Sequence, residues 1–166
     1  MNPSVYVETS IVSYLSARPS RDVIIAAHQR LTRQWWKGRS SYRVFVSQIV
    51  RDEAAAGDPA ARARRLRVIR GISALAVGEN AIRLAGELIR SGALPKKATV
   101  DAFHIGIAAA HQIDYLLTWN CKHIANATMR GTIEAICRSA GLQPPIICTP
   151  EELPAGGHDE TPRRNH

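Results

Sequence analysis

Three acidic side chains and one asparagine lie at or beside the ends of predicted strands, where they could form a catalytic site. Glu8 follows a short apolar strand, Glu53 lies in the helix after the second strand, and Asp101 lies in the helix before the fourth. That fourth strand, 114–118, is followed after one residue by Asn120. Ligands of an open parallel sheet bind at the carboxyl ends of its strands, so we expect these side chains to share one edge.

Acids gathered at one edge repel one another, and one of them would take up a proton unless a cation lay between them. Oxygen ligands of this kind suit a hard cation, Mg²⁺ or Mn²⁺, which keeps open positions for water. Such an ion activates water and stabilises charge on phosphate oxygens, so the residues indicate metal-assisted hydrolysis of a phosphodiester. The spacing alone leaves a second interpretation open, in which Glu8 is a solvated charge at a strand end.

Four polar residues near these acids are candidates for supporting roles. Thr9 and Thr118 carry hydroxyls at the predicted edge, where they could orient metal-bound water or phosphate, or simply cap the strand ends. His123 and Asn126 follow the fourth strand and could contact substrate or fix the loop. His104 lies one turn beyond the acid of its helix, and we expect it to pack and hydrogen-bond inside the protein rather than to bind a metal.

Apolar strands alternate with amphipathic helices along the chain, which predicts a three-layer α/β/α domain with a central parallel sheet of about five strands. The predicted strands cover 4–7, 42–46, 72–77, 114–118 and 146–148. The predicted helices cover 11–15, 21–37, 48–56, 79–90, 96–111 and 132–139, with a further helix that begins at 58–59. We expect residues 1–153 to form one domain and residues 154–166 to form a disordered C-terminal tail.

Capping residues and apolar spacing predict the ends and inner faces of the helices. Ser20 and Gly38 are placed to cap the two ends of the helix 21–37. The predicted apolar face of that helix comprises Val23, Ala27, Leu31 and Trp35. The predicted inner face of the helix 79–90 comprises Ile82, Ala85, Leu88 and Ile89. The predicted inner face of the helix 96–111 comprises Ala98, Ala102, Ile105, Ala108 and Ala109.

The charge of the 166-residue chain favours a polyanionic partner. Its formal net charge is +8 and its pI is about 10.0, so nucleic acid is the first expectation and an anionic membrane the second. A basic enzyme without such a partner is the alternative. Five arginines of one predicted helix could follow RNA phosphates, although a solvated face or a docking site for an acidic protein explains them equally well. These arginines are Arg62, Arg64, Arg65, Arg67 and Arg70.

Cysteine usage and hydropathy favour the cytoplasm. Three cysteines are an odd number and show no CxxC spacing, so neither a disulfide framework nor structural zinc is expected. No segment approaches the ~20 apolar residues of a membrane span, and the first ten residues lack the basic and apolar regions of a signal peptide. We therefore expect a cytoplasmic protein without a membrane partner.

Several segments, taken together in their order and spacing, resemble the PIN-domain family, and specifically the VapC-type toxins of bacterial type II toxin–antitoxin systems. The matching segments are YVETSIVSYL at 6–15, SQIVRDE at 47–53, DAFHI at 101–105, DYLLTWN at 114–120 and, for a subgroup, ICTPEEL at 147–153. This resemblance implies a PIN-like fold and a Mg²⁺- or Mn²⁺-dependent endoribonuclease. Glu8, Glu53 and Asp101 would be its metal ligands, assisted by Asn120. The family also implies a homodimer and a cognate antitoxin that blocks the site.

Two positions depart from the family pattern. Glu8 stands where the family usually has Asp, and Asn120 stands where it usually has a fourth acid, so the site would hold three formal negative charges. A subgroup that resembles this sequence carries both changes. The competing hypothesis is a degenerate PIN domain that binds RNA or a protein without cutting. A nucleotide-binding α/β domain is not favoured, because no glycine-rich phosphate-binding motif follows any strand.

Overall fold

A five-stranded, all-parallel sheet flanked by helices forms the centre of the computed structural model, which describes residues 1–156. The strands are β1 (Ser4–Val7), β2 (Arg43–Ser47), β3 (Ser73–Leu75), β4 (Tyr115–Leu117) and β5 (Ile146–Cys148). The helices are α1 (Thr9–Ser16), α2 (Val23–Lys37), α3 (Gln48–Ala54), α4 (Pro59–Val68), α5 (Glu79–Arg90), α6 (Thr99–Ala110) and α7 (Ala127–Ser139). The predicted α/β class and the five parallel strands are confirmed.

Strand β1 lies at the centre of the sheet, whose order is β3-β2-β1-β4-β5. Val5 pairs with Val44 of β2 on one side and with Tyr115 of β4 on the other. All four residues of β1 are buried, as expected for a parallel strand covered by helices on both faces. The chain passes outward to β2 and β3 and returns beside β1 as β4, so the strand order reverses between the carboxyl ends of β1 and β4.

The ends of several helices differ from the sequence-based expectation. Asp22, not Ser20, caps α2, because Asp22 Oδ1 accepts hydrogen bonds from the amides of the first turn, while Ser20 Oγ accepts the amide of Asp22 itself. Helix α7 begins at Ala127 rather than 132, since Asn126 caps it and Gly131 is accommodated within it. Helix α3 ends two residues early, and a short 3-10 turn, Lys96–Ala98, precedes α6.

The predicted inner face of α2 is only partly confirmed: Trp35 is buried, Ala27 and Leu31 are half-buried, and Val23 is exposed. Val23 is 82% exposed, whereas Gln29 and Thr32 are buried. The Gln29 amide accepts a hydrogen bond from the Ser20 backbone and donates to a backbone carbonyl, and Thr32 Oγ1 accepts one from an indole N–H. Because these polar groups are fully partnered, they can be buried in place of the apolar residues, and the helix turns a different side inward.

Helices α5 and α6 pack with their backbones in close approach at Gly106. A Cβ built at Gly106 would lie 2.6 Å from the carbonyl oxygen of Ala81, so only glycine fits there without a shift. This contact turns Ala81 and Leu84 of α5 inward and leaves Ile82, a predicted inner residue, 52% exposed. The predicted inner face of α6 is confirmed, because all five of its residues are buried.

Two arginines of α4 serve the fold through backbone contacts. Arg65 Nε donates to the Ala54 carbonyl at the end of α3, and Arg64 Nε donates to the Ser16 carbonyl at the end of α1. These guanidinium groups therefore satisfy carbonyls that a helix end leaves without an intrahelical partner. The remaining arginines of the helix have no such contact within residues 1–156.

The segment after β5 folds back on the domain. Tyr42 Oη donates to the Pro154 carbonyl at 2.6 Å, and Ala155 packs against Gly38. These are the first residues of the predicted tail, 154–166; its residues 157–166 lie outside the described part of the chain. Within the described part, no helix is long and apolar enough to cross a membrane.

Candidate functional site

Polar side chains gather at the carboxyl edge of the sheet, beside the point where the strand order reverses. Glu8 follows β1, Ser47 ends β2, and Thr118 follows β4. Helices α3 and α6 bring Glu53 and Asp101 to the same edge. Open α/β sheets bind their ligands at such a place, outside the carboxyl ends of strands where the strand order reverses.

Glu8 is a nearly buried carboxylate held through one of its two oxygens. It is 5% exposed, and its Oε2 accepts hydrogen bonds from Ser10 N, Ser10 Oγ and Thr118 Oγ1. Glu8 is also the N-cap of α1, whose first-turn amides favour negative charge. The second oxygen, Oε1, has His104 Nε2 at 4.0 Å and no hydrogen-bond donor among the described residues.

Glu53 is held by two side chains from other elements. Its Oε1 accepts hydrogen bonds from Thr9 Oγ1 at 2.7 Å and lies 2.9 Å from His104 Nε2. Partial burial alone would raise the pKa of the Glu53 carboxyl, but the hydrogen bonds from His104 and Thr9 and the nearby imidazole together hold that pKa below its usual value. The group is therefore a carboxylate at neutral pH. Glu8 and Glu53 both lie within 4.0 Å of the same imidazole nitrogen.

Asp101 is engaged on both oxygens by the loop after β4. Asn120 Nδ2 donates to Asp101 Oδ1 at 3.0 Å, and His123 Nδ1 lies 2.9 Å from Asp101 Oδ2. Asn120 Oδ1 in turn accepts the backbone N–H of His123 at 3.0 Å, so the amide uses both of its ends. Asn120 thus gives Asp101 a donor that an aspartate could not supply.

The Glu8 and Asp101 parts of the site are joined through the end of β4. Thr118 Oγ1 donates to Glu8 Oε2 and accepts the backbone N–H of Asn120, at 2.7 Å and 2.9 Å. Ser10 Oγ also donates to Glu8 and accepts the backbone N–H of Trp119. Glu8, Asp101 and Asn120 therefore belong to one hydrogen-bonded network. Glu53 belongs to a second network, through His104, whose Nε2 lies 4.0 Å from Glu8 Oε1.

The carboxylates of the site are the kind of ligand that a hard cation binds, but they do not converge on one point. Within residues 1–156, no three His, Cys, Asp or Glu side chains converge closely enough to be a ready ligand set. The three carboxylates are separated by hydroxyl, imidazole and amide groups instead. Glu8 Oε1 and Glu53 Oε2 nonetheless have no hydrogen-bond donor in the described chain, and oxygen ligands of this type suit Mg²⁺ or Mn²⁺.

The supporting residues divide between the site and the scaffold. Thr9 and Thr118 each donate to a site carboxylate, and His123 contacts Asp101. Asn126 instead caps α7, where its Oδ1 accepts the Thr128 amide, so it fixes the loop and contacts none of the acids. The expected internal role of His104 is confirmed, since it is 1% exposed and hydrogen-bonded on both ring nitrogens.

Three residues hydrogen-bonded around these acids and His104 were not anticipated as parts of the site: Tyr6, Ser10 and Ser47. Ser10 follows Glu8 by two residues, a spacing at which an N-cap side chain accepts a backbone amide, so its place was accessible from capping rules. Tyr6 and Ser47 lie 41 positions apart and meet only because β1 and β2 are neighbours. No local pattern signals that contact.

No protein-family model, curated protein or solved structure matches this chain. The function must therefore be argued from the site geometry together with the sequence motifs.

Proposed function

We propose that this protein is a Mg²⁺- or Mn²⁺-dependent endoribonuclease of the PIN-domain, VapC-like type. One observation carries the proposal: three acids from distant parts of the chain lie together beside the point where the strand order reverses. Glu8 and Asp101 share a hydrogen-bonded network, and Glu53 lies beside Glu8 through their common neighbour His104. Hydrolysis of phosphodiesters by metal-assisted nucleases needs such a group of carboxylates in a crevice. A surface charge at a strand end, the alternative for Glu8, would not be 5% exposed and triply hydrogen-bonded.

Glu8, Glu53 and Asp101 would hold the cation, which when bound supplies Lewis acidity and an activated water. The polar neighbours of these acids keep each carboxylate in one orientation. Thr118 holds Glu8, and Thr9 holds Glu53. In both glutamates, the oxygen opposite the hydrogen-bonded one remains available to a ligand.

RNA, a cognate antitoxin and a second copy of the chain are proposed as partners, in the cytoplasm. The net charge of +8 supports a polyanionic substrate. Arg64 and Arg65 already bind backbone carbonyls, so the arginines available to phosphates are Arg62 and Arg67 of α4 and Arg70 just after it. The exposed apolar residues Val23 and Ile24 at the start of α2 provide a surface for a protein partner.

A second candidate, a non-catalytic PIN-like binding module, is supported by the Asn120–Asp101 hydrogen bond. That bond satisfies one oxygen of Asp101 without a cation, so the site can be stable in the absence of metal. A binding module would keep the basic surface and the fold and would lack cleavage.

Cleavage of a pool of structured RNAs in the presence of Mn²⁺, Mg²⁺ or EDTA distinguishes these two functions. The variant Asp101→Asn removes one charge with little change in shape, and we expect cleavage to be abolished while the fold is retained. Asp52→Asn is the matched control, because Asp52 is exposed and, within residues 1–156, its carboxylate accepts a hydrogen bond only from Gln48.

Metal-dependent cleavage that survives in Asp52→Asn and is lost in Asp101→Asn would establish the nuclease. Cleavage that persists in Asp101→Asn would remove Asp101 from the site. Folded, antitoxin-free protein that cuts no RNA with any of these ions would support the binding module.

A further inference from the structure

The buried hydroxyl of Tyr6 links three elements directly beneath the candidate site. Tyr6 Oη lies 2.7 Å from Ser47 Oγ and 2.7 Å from His104 Nδ1. Tyr6 and Ser47 are fully buried, and His104 is 1% exposed. Burial raises the pKa of the Tyr6 hydroxyl far above its usual value, although the hydrogen bond with Ser47 opposes this. The hydroxyl therefore keeps its proton and has to find an acceptor.

The hydroxyl protons of Ser47 and Tyr6 each need an acceptor, and this requirement determines which group donates in each hydrogen bond. Ser47 Oγ accepts a hydrogen bond from the Val50 backbone N–H, and its only other hydrogen-bond partner in the described structure is Tyr6 Oη. The Ser47 proton must therefore point to Tyr6, because a buried hydroxyl proton without an acceptor is costly. Tyr6 must then donate its own proton to His104 Nδ1.

An imidazole that accepts at Nδ1 carries its proton on Nε2. His104 Nε2 faces Glu53 Oε1 at 2.9 Å, and the same oxygen accepts the Thr9 hydroxyl, so it acts as an acceptor there. Ser47 therefore donates a hydrogen bond to Tyr6, Tyr6 donates to His104, and His104 donates to Glu53.

We propose that Tyr6 and His104 are positioning residues that fix the Glu53 carboxylate, with Tyr6 setting the tautomer of His104. As a result, Oε1 of Glu53 is occupied, and Oε2 is left without a hydrogen-bond donor among residues 1–156. The effect of this arrangement on cation binding rests on the proposed function, whereas the assignment of the His104 proton to Nε2 does not. In metal sites, partners that orient a ligand in this way typically contribute roughly 10- to 100-fold to metal affinity.

The variant Tyr6→Phe tests the proposal, because it removes only the hydroxyl and keeps the buried ring. Tyr42→Phe is the matched control: it also removes one tyrosine hydroxyl, whose partner is the Pro154 carbonyl far from the acids. Both variants are made in the full chain labelled with ¹⁵N. The ring nitrogens of the six histidines are observed by NMR, and the His104 signals are assigned by their loss in His104→Gln.

In the wild type, we expect His104 to be protonated on Nε2 alone. In Tyr6→Phe, we expect a mixture of tautomers and an Mn²⁺ dissociation constant about tenfold higher, measured from the EPR signal of free Mn²⁺. Tyr42→Phe should change neither. A wild-type His104 protonated on Nδ1 would overturn the proposal, and this measurement decides even if Tyr6→Phe does not fold.

An Mn²⁺ affinity that is equal in Tyr6→Phe and wild type would also overturn the positioning role. If the wild type binds no Mn²⁺, the metal site of the proposed function fails instead. In that case the NMR signals of the His104 ring nitrogens alone show whether Tyr6 and His104 hold Glu53. Failure of the positioning role can therefore be told apart from failure of the metal site.

Discussion

At the scale of single residues, the site is organised by hydrogen-bond donors placed between acids. Asn120 is the clearest case, since its amide donates to Asp101 and accepts from the backbone of His123. An aspartate at this position would place two carboxylates side by side with no proton between them. The chain therefore stabilises its acids with neutral donors, and a cation would compete with those donors.

The substitution Asn120→Asp should make folding depend on a cation. Without metal, the loss of the donor and the repulsion from Asp101 should lower the free energy of unfolding by about 1–3 kcal/mol. Added Mn²⁺ should recover more stability in this variant than in the wild type, because the fourth carboxylate tightens binding. Urea denaturation in EDTA and in Mn²⁺ measures both effects.

Asn126→Asp is the control for that experiment, since Asp also serves as a helix N-cap and Asn126 contacts no site acid. Its stability should respond to Mn²⁺ as the wild type does. An Asn120→Asp variant that responds no more than the control would place Asn120 away from the ion.

At the scale of elements, the alternation of strands and helices was predictable, whereas the faces that helices bury were only partly so. The strands are short and apolar, so they can be recognised in the sequence without knowing which strands they pair with. The orientation of α2 instead depends on Gln29 and Thr32, whose partners are Arg18, Ser20 and Trp119. A polar residue whose partners lie outside its own helix looks exposed in the sequence, so apolar spacing placed only part of the buried face of α2 correctly.

The same reasoning applies to the candidate site. The four principal residues were predictable because Glu8 and Asn120 closely follow strands, and Glu53 and Asp101 stand in helical motifs that occur in the expected order. The path through Tyr6 and Ser47 was not, because it depends on the pairing of β1 with β2. Buried tyrosine and serine also resemble ordinary core and cap residues.

Packing of α5 against α6 yields a prediction about glycine. Gly106→Ala should destabilise the protein by about 1–3 kcal/mol, because the new methyl group meets the Ala81 carbonyl and the two backbones must separate. Gly131→Ala in α7 is the matched control, since a Cβ there has no atom within 4 Å. It should stabilise by about 0.5–1 kcal/mol, through helix propensity alone.

Urea denaturation at neutral pH measures both glycine variants. Destabilisation of Gly106→Ala and stabilisation of Gly131→Ala would confirm the close approach of the helices. Equal stabilisation of the two would show that α5 and α6 are farther apart than the structure places them.

At the scale of the whole molecule, the two edges of the sheet have different chemistry. The carboxyl edge carries the site, and the amino edge carries a structural contact between β1 and the residue before β4. There Asp114 Oδ2 accepts hydrogen bonds from Ser4 N at 2.7 Å and Ser4 Oγ at 2.8 Å. These bonds from the Ser4 backbone and side chain hold the pKa of Asp114 below its ordinary value of 3.8.

The hydrogen bonds between Ser4 and Asp114 should make part of the free energy of unfolding sensitive to acid. A carboxyl whose pKa is lowered by folding stabilises the protein fully above its unfolded pKa, and the contribution is lost as the pH falls through the folded value. The stability difference between wild type and Asp114→Asn should therefore be constant near neutrality and shrink below about pH 4. Urea denaturation from pH 7 down to about pH 3 measures it.

Ser4→Ala, which removes one of the two donors, should show a smaller acid-sensitive part than the wild type. If the difference between wild type and Asp114→Asn stays constant through the acid range, Ser4 does not bind the ionised form of Asp114.

The central place of β1 also has a consequence for the order in which the chain is made. One side of β1 can pair as soon as β2 has been made, whereas the other side must wait for β4, whose paired residue Tyr115 is 110 positions after Val5. Until then, a partly made chain has an apolar strand edge that can recruit other chains. It also lacks Asn120, as well as the Thr118 hydroxyl that holds Glu8. A ribosome that has not yet passed β4 therefore carries no working site, and the proposed nuclease stays inert until most of it has been translated.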